Sequence, residues 1–206
     1  MPWYYYPVFV SLGFCFVSCI YHLVRIISAG KPEEFSRASG KPADAIIYSF
    51  TGAMHPGKKE SAFLHLPTYI AGILYHLGTF LSIFMFFLVL VIQSIPVVAS
   101  IICAGLLMIT TSCGFAILIK RLIKKELRTL SNPDDYISNI LVTLFQFITA
   151  FSLVLPAGRP VYFILASLLM LYFPAGKLKH AIYFFAARYH LGFFYGWRGV
   201  WPPKPL

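Results

Sequence analysis

Thr68–Ile92 reads TYIAGILYHLGTFLSIFMFFLVLVI, an apolar stretch without one Asp, Glu, Lys or Arg. At 1.5 Å of helical rise per residue it reaches roughly 37 Å, more than the roughly 30 Å of a bilayer's hydrocarbon core. A surface helix of a soluble domain keeps a polar face, and this stretch has none. It reads as a transmembrane helix. It also carries His76, an ionisable side chain where such groups are costly and therefore functional candidates.

Four further stretches of the same kind surround it, so the expected spans are about 4–27, 68–92, 96–119, 136–156 and 160–182. The whole chain agrees. Of its 206 residues 59% are hydrophobic and only 12% charged, and the mean hydropathy is +0.76. Soluble domains hold about 25% charged residues. Short connections follow from Ser94 and Pro96 between spans 2 and 3, and from Pro156, Gly158 and Pro160 between spans 4 and 5. There is no internal repeat and no low-complexity tract. The expectation is one domain, 1–206: an all-α integral membrane protein built as a bundle of five transmembrane helices.

The net charge of +10 sits in the connections. Lys31, Arg37, Lys41, Lys58 and Lys59 lie in the first loop, and Lys120, Arg121, Lys124, Lys125 and Arg128 in the third. Lys177, Lys179, Arg188, Arg198 and Lys204 follow toward the end, while the opposite side has little beyond Arg159. The positive-inside bias places the N-terminus outside and the C-terminus in the cytoplasm, with a long cytoplasmic loop 30–67 and a cytoplasmic tail 183–206. An odd number of spans requires the same result. Basic residues so distributed report topology and give no sign of nucleic-acid binding.

Smaller features fit that frame. Asp44–Met54, DAIIYSFTGAM, reads as a short interfacial helix ended by His55-Pro56-Gly57. Trp3–Tyr6 and Tyr195–Trp201 read as headgroup-level anchors. Cys15, Cys19, Cys103 and Cys113 lie in apolar runs without metal-ligand spacing and behave as small hydrophobes. The first apolar stretch lacks a charged leading region and reads as a retained helix. No carboxylate pair, nucleophile arrangement or phosphate loop supports hydrolytic chemistry.

The histidines carry the chemistry that remains. His76 lies about 13 Å into the core from the inner face, close in helical position to Gly72, Gly78 and Thr79. Small residues there admit either a flat macrocycle or a neighbouring helix. Two neutral imidazoles at similar depth hold a b-type haem, so His180 is a candidate partner. Counted along a straight helix from Pro160, His180 lies roughly 10 Å lower than His76, a mismatch that tilt or a kink at Pro174 would remove. On the residues alone His180 is either a ligand or an interfacial histidine. His22, on the inner half of span 1, is the rival ligand. His65 and His190 fall in or beside loops, and His55 in a turn.

Tyr172-Phe173-Pro174-Ala175-Gly176-Lys177-Leu178-Lys179-His180 resembles the end of the last helix in respiratory nitrate reductase gamma subunits. The pattern is shared by related membrane cytochromes b of heterodisulfide-reductase type. Tyr75-His76-Leu77-Gly78 is similar to the family's other ligand segment, and Asn132-Pro133-Asp134-Asp135-Tyr136 to the opening of its fourth helix. The likeness covers helices 2 to 5. Where the family has the histidines of a second haem, this chain has Phe86 and Tyr162. The resemblance therefore implies one haem b, near the cytoplasmic face, with its iron held by His76 and His180.

The resemblance further implies an electron-transfer subunit of a respiratory complex in the cell's inner membrane, not a stand-alone enzyme. It would exchange electrons between menaquinone or another quinone and a cytoplasmic iron–sulfur partner, since the chain has no cysteine set for a cluster of its own. Lys58, Lys59, Glu60 and His65 are candidates for accepting quinol protons, or simply line an interfacial loop. Two readings from other classes stay open: a haem-free structural anchor, and a small transporter with histidine as proton relay.

Overall fold

A computed structural model describes residues 2–30, 33–58, 64–92 and 94–203. The expectations placed on Lys31, Lys59, Glu60 and Lys204 lie outside the described residues. Among the described residues all regular structure is helical: α1 Tyr5–Ser28, α2 Pro42–Phe50, α3 Leu66–Val91, α4 Val97–Ile123, α5 Lys125–Thr129, α6 Pro133–Val154, α7 Arg159–Tyr172 and α8 His180–Trp197. Four of these, α1, α3, α4 and α6, are long and apolar enough to cross a membrane. The count becomes five if α7 and α8 together form one broken span.

Local chemistry sets the helix ends. Pro133 opens α6 behind a capping box, in which Asn132 Oδ1 accepts from the Asp135 amide and the Asp135 carboxylate accepts from the Asn132 amide, each at 3.0 Å. Lys120 and Arg121 occupy the last turn of α4, where cations suit the helix dipole. The fifth span, expected over 160–182, is an α-helix to Tyr172, breaks, and turns helical again at Lys177 and in α8 from His180. Pro174 has no amide hydrogen to continue the ladder. The Ala175 and Gly176 amides turn back to the Tyr172 carbonyl at 3.1 and 2.8 Å. At 14 residues α7 is about 21 Å long, short of a full crossing by itself.

The chain divides into two compact units. The first takes the chain up to Phe16 and Pro67–Leu178, and so contains α3, α4, α6, α7 and the start of α1. Its core joins Phe86, Val89, Phe145, Tyr162, Phe163 and Ala166 to Tyr5 and Val8. Tyr4 and Tyr5 stack toward Phe163, at 5.5 and 4.9 Å between ring centroids, while Trp3 and Tyr6 are exposed. α6 is the most enclosed of the membrane-length helices, and beside Val142, Phe145 and Ala150 it buries a run of polar residues: Ser138, Asn139, Thr143, Gln146, Thr149 and Ser152. Ile137, Ile140 and Phe151 of the same helix are exposed. This inside-out pattern belongs to helices packed in lipid, where small and polar residues make the interfaces.

The second unit takes Val17–Leu66 and the chain from Lys179 on. The expected tail is folded here: α8 runs to Trp197 and packs on α2. Gly192 and Gly196, one turn apart, form the seam. A Cβ on Gly192 would run into the Ile46 backbone, and one on Gly196 into Ala45 and Pro42. Ala45 and Ser49 supply the matching small residues of α2, and the Ser49 hydroxyl donates to the Arg188 carbonyl at 2.7 Å. This is close packing of small residues four apart. The Trp197 indole donates to the Ser36 carbonyl at 2.8 Å, the Ser39 amide donates to the Trp197 carbonyl at 2.9 Å, and Arg198 pairs with Glu34 at 2.8 Å. Tyr195 lies 4.7 Å from Trp201, so the C-terminal aromatic residues serve packing within this unit.

Candidate functional site

His76 lies on α3, and its neighbour Tyr75 shows what sets that helix's rotation. The Tyr75 hydroxyl donates to the Asn139 carbonyl at 3.0 Å and meets Thr143 Oγ1 at 3.0 Å. Gln146, fully buried on α6, donates from Nε2 to the Tyr75 carbonyl and to Thr79 Oγ1, each at 2.9 Å. Its Oε1 accepts from Thr110 Oγ1 at 2.8 Å. Both amide hydrogens and the amide oxygen of Gln146 are thus satisfied, the condition for keeping such a group out of water. Glycines permit the close approach: a Cβ on Gly78 would run into Thr110 and Gln146, and one on Gly114 into Tyr75 and Thr143.

With Tyr75 turned inward by this clasp, His76 stands exposed on the adjoining face of α3. Gly72, one turn earlier on that face, would carry a Cβ with nothing within 4 Å. Gly72 therefore leaves its point on that face uncovered by other described residues. The space expected at Gly78 and Thr79 is absent, because both belong to the clasp between α3, α4 and α6.

The first unit also joins two segments far apart in sequence. The Tyr172 hydroxyl bonds Ser138 Oγ at 3.0 Å and reaches the Asp134 carbonyl at 3.4 Å. Asp135, buried at the start of α6, pairs with Arg121 at 3.1 Å and with Lys177. Asn132–Tyr136 and the Tyr172–Lys177 part of the last motif are therefore tied together. Phe86 and Tyr162 meet as well, edge to face with ring centroids 6.3 Å apart, and Phe145 stacks on Tyr162 at 5.8 Å.

His180 is the first residue of α8 and is exposed. It belongs to the second unit and His76 to the first. His22, also in the second unit, has Nδ1 3.0 Å from the Tyr183 hydroxyl. Tyr183 lies one turn beyond His180, so His22 touches the helix that His180 opens. His55 Nδ1 accepts from the Gly57 amide at 3.2 Å, a local turn contact. His65 is exposed, and His190 is half-buried beside Tyr189. Cys15, Cys19, Cys103 and Cys113 form no disulfide among the described residues.

Among the described residues no three of His, Cys, Asp and Glu converge to hold a bare ion. Two imidazoles suit a group whose macrocycle brings its own equatorial donors. Sequence reasoning missed the clasp. Its one visible signal was Gln146, an amide inside an apolar span. It also missed the seam between α2 and α8, although Gly192-Phe193-Phe194-Tyr195-Gly196 states the small-residue spacing openly. No family model matches this chain, and neither does any curated protein or solved structure.

Proposed function

We propose that this chain is the haem b-carrying membrane anchor of a quinone-linked redox complex, in which His76 and His180 would hold the iron of one haem. When bound, that group would supply one-electron redox chemistry between membrane quinol or quinone and a cytoplasmic iron–sulfur partner. The observation that carries the reading is the joining of the family-like segments: Tyr172 on Ser138 and Lys177 with Asp135 bring the approach to His180 onto the opening of α6.

The chain's own contribution is positional. The Gln146 clasp holds α3 against α4 and α6, which sets the face on which His76 stands. A Cβ on Gly72, one turn before His76, would meet no described residue within 4 Å. Lys177, held by Asp135, anchors the turn that leads into His180. An imidazole ligates through a neutral nitrogen, so both histidines serve in their deprotonated form. Phe86, Phe145 and Tyr162 fill the core with aromatic rings, in keeping with one haem and not two. Lys124, Lys125 and Arg128 are exposed beyond α4 and offer a basic surface to an acidic partner.

A second reading has its own support. The clasp and the Gly192–Gly196 seam are complete without any cofactor, as a haem-free structural anchor requires. One measurement separates the two: the reduced-minus-oxidised visible spectrum of the purified chain, with His76→Ala, His180→Ala and His22→Ala beside it. The sharp alpha band of a low-spin b-type haem, lost in the first two variants and kept in the third, is the expected result. A folded protein without the band means a structural anchor. A band lost in His22→Ala and kept in His180→Ala moves the second ligand to His22.

A further inference from the structure

Arg159 is the basic residue that the charge distribution leaves unexplained, and the structure gives it a setting. In the first unit a cavity of about 400 Å³ opens where α3 and α6 end and α4 and α7 begin, lined by Ser94, Ser100, Ser152 and Arg159. The volume falls in the roughly 300–1,000 Å³ range of small-molecule sites. Val89, Ile101 and Leu153 contribute apolar wall, and no acidic residue is among the described residues lining it.

The polar wall offers donors to an anion. The Ser152 hydroxyl is committed to the Thr149 carbonyl at 3.0 Å. Ser100 is only 7% exposed, lines the cavity, and makes no side-chain hydrogen bond among the described residues. A hydroxyl buried to that degree calls for a partner. The backbone adds to the same sign of field. α4, which starts after Pro96, has no side chain capping its first turn. Its positive end therefore borders a cavity that already holds a guanidinium.

We propose that this cavity binds the phosphodiester headgroup of a membrane phospholipid. Arg159 supplies the charge and Ser100 and Ser94 hydrogen-bond the ester oxygens, while the acyl chains lie toward Val89 and Ile101. The apolar wall beside the polar one favours an amphiphile over a free ion, and the cavity's place at the ends of membrane-length helices puts it at headgroup level. The site is independent of any haem.

The test uses the full chain in detergent, with binding followed by native mass spectrometry. The probes are dioctanoyl phosphatidylglycerol, dioctanoylglycerol and inorganic phosphate. Phosphatidylglycerol should bind at least tenfold more tightly than dioctanoylglycerol, Arg159→Gln should weaken it at least tenfold, and Arg159→Lys should retain most of it. Ser100→Val should weaken it severalfold, which keeps the test open if Arg159→Gln does not fold. Equal binding of the phosphate-free lipid, or unchanged affinity in both Arg159→Gln and Ser100→Val, overturns the proposal. Inorganic phosphate displacing the lipid at matched concentration overturns the lipid assignment and makes free phosphate the ligand.

Discussion

The ring of Phe86 meets that of Tyr162 edge to face, 6.3 Å between centroids, with both side chains buried. On the resemblance to nitrate reductase gamma subunits the histidines of a second haem would fall at about these positions, and here two rings pack against Phe145 and Phe163. The haem content of the purified chain is therefore expected to be at most one per polypeptide, by haemochrome assay against protein concentration. Phe86→Ala should destabilise the chain by about 3 kcal/mol through the cavity it leaves. Haem content near two would overturn the single-haem reading.

Gln146→Leu removes the donor and acceptor that link Tyr75, Thr79 and Thr110. Interhelical hydrogen bonds in membranes are worth about 0.6–2 kcal/mol, so a loss of about 2 kcal/mol is expected for the connected set. Thermal unfolding in micelles measures it. Gly78→Leu should cost more, because a side chain there forces α3 away from Thr110 and Gln146. A neutral Gln146→Leu would mean that the clasp has no energetic weight.

Asp135→Asn abolishes the pairs with Arg121 and Lys177 and weakens the capping box. Asp135 is buried, but the Lys177 side chain is about half exposed, so screening keeps the loss near 2 kcal/mol. On the proposed function the variant should also bind haem more weakly, since Lys177 anchors the turn before His180. Titration of the apoprotein with haemin reads this separately from stability.

Gly192→Leu should pry α2 from α8 at the point where Gly192 meets the Ile46 backbone. Amide exchange over Ala45–Ser49 is expected to accelerate at least tenfold, with the amides of α4 unchanged. Protection that stays the same across α2 would show that the seam does not depend on glycine.

The Arg198 guanidinium, by its hydrogen bond to Glu34, holds that carboxyl below the usual carboxylate range. A folded-state pKa below the unfolded one gives stability that is present above the unfolded pKa and lost as pH falls through the folded one. The contribution is small for a surface pair whose Arg198 side chain is about a third exposed. Exchange of the Ser39 amide, which bonds the Trp197 carbonyl, should therefore rise on acidification below about pH 4. Glu34→Gln should flatten that dependence; an identical profile in the variant would remove Glu34 from the account.

Sequence alone determined which segments are membrane-length helices. Thr68–Ile92 and its counterparts are long and predominantly apolar, and length against bilayer thickness needs no knowledge of neighbours. It also determined the opening of α6, since Asn132, Pro133 and Asp135 act within one turn. The partners were decided by tertiary structure. That Gln146 reaches Tyr75, that Asp135 meets Lys177, and that Gly192 and Gly196 turn an expected tail into a packed helix depend on residues far apart in the chain. The interruption after Tyr172 lies between the two: Pro174 and Gly176 announced a break. Where the chain went next depended on α8 finding the small-residue face of α2. In lipid, apolar surface does not choose between neighbours, so fit between small residues and closure of polar groups make the choice, and both are properties of pairs.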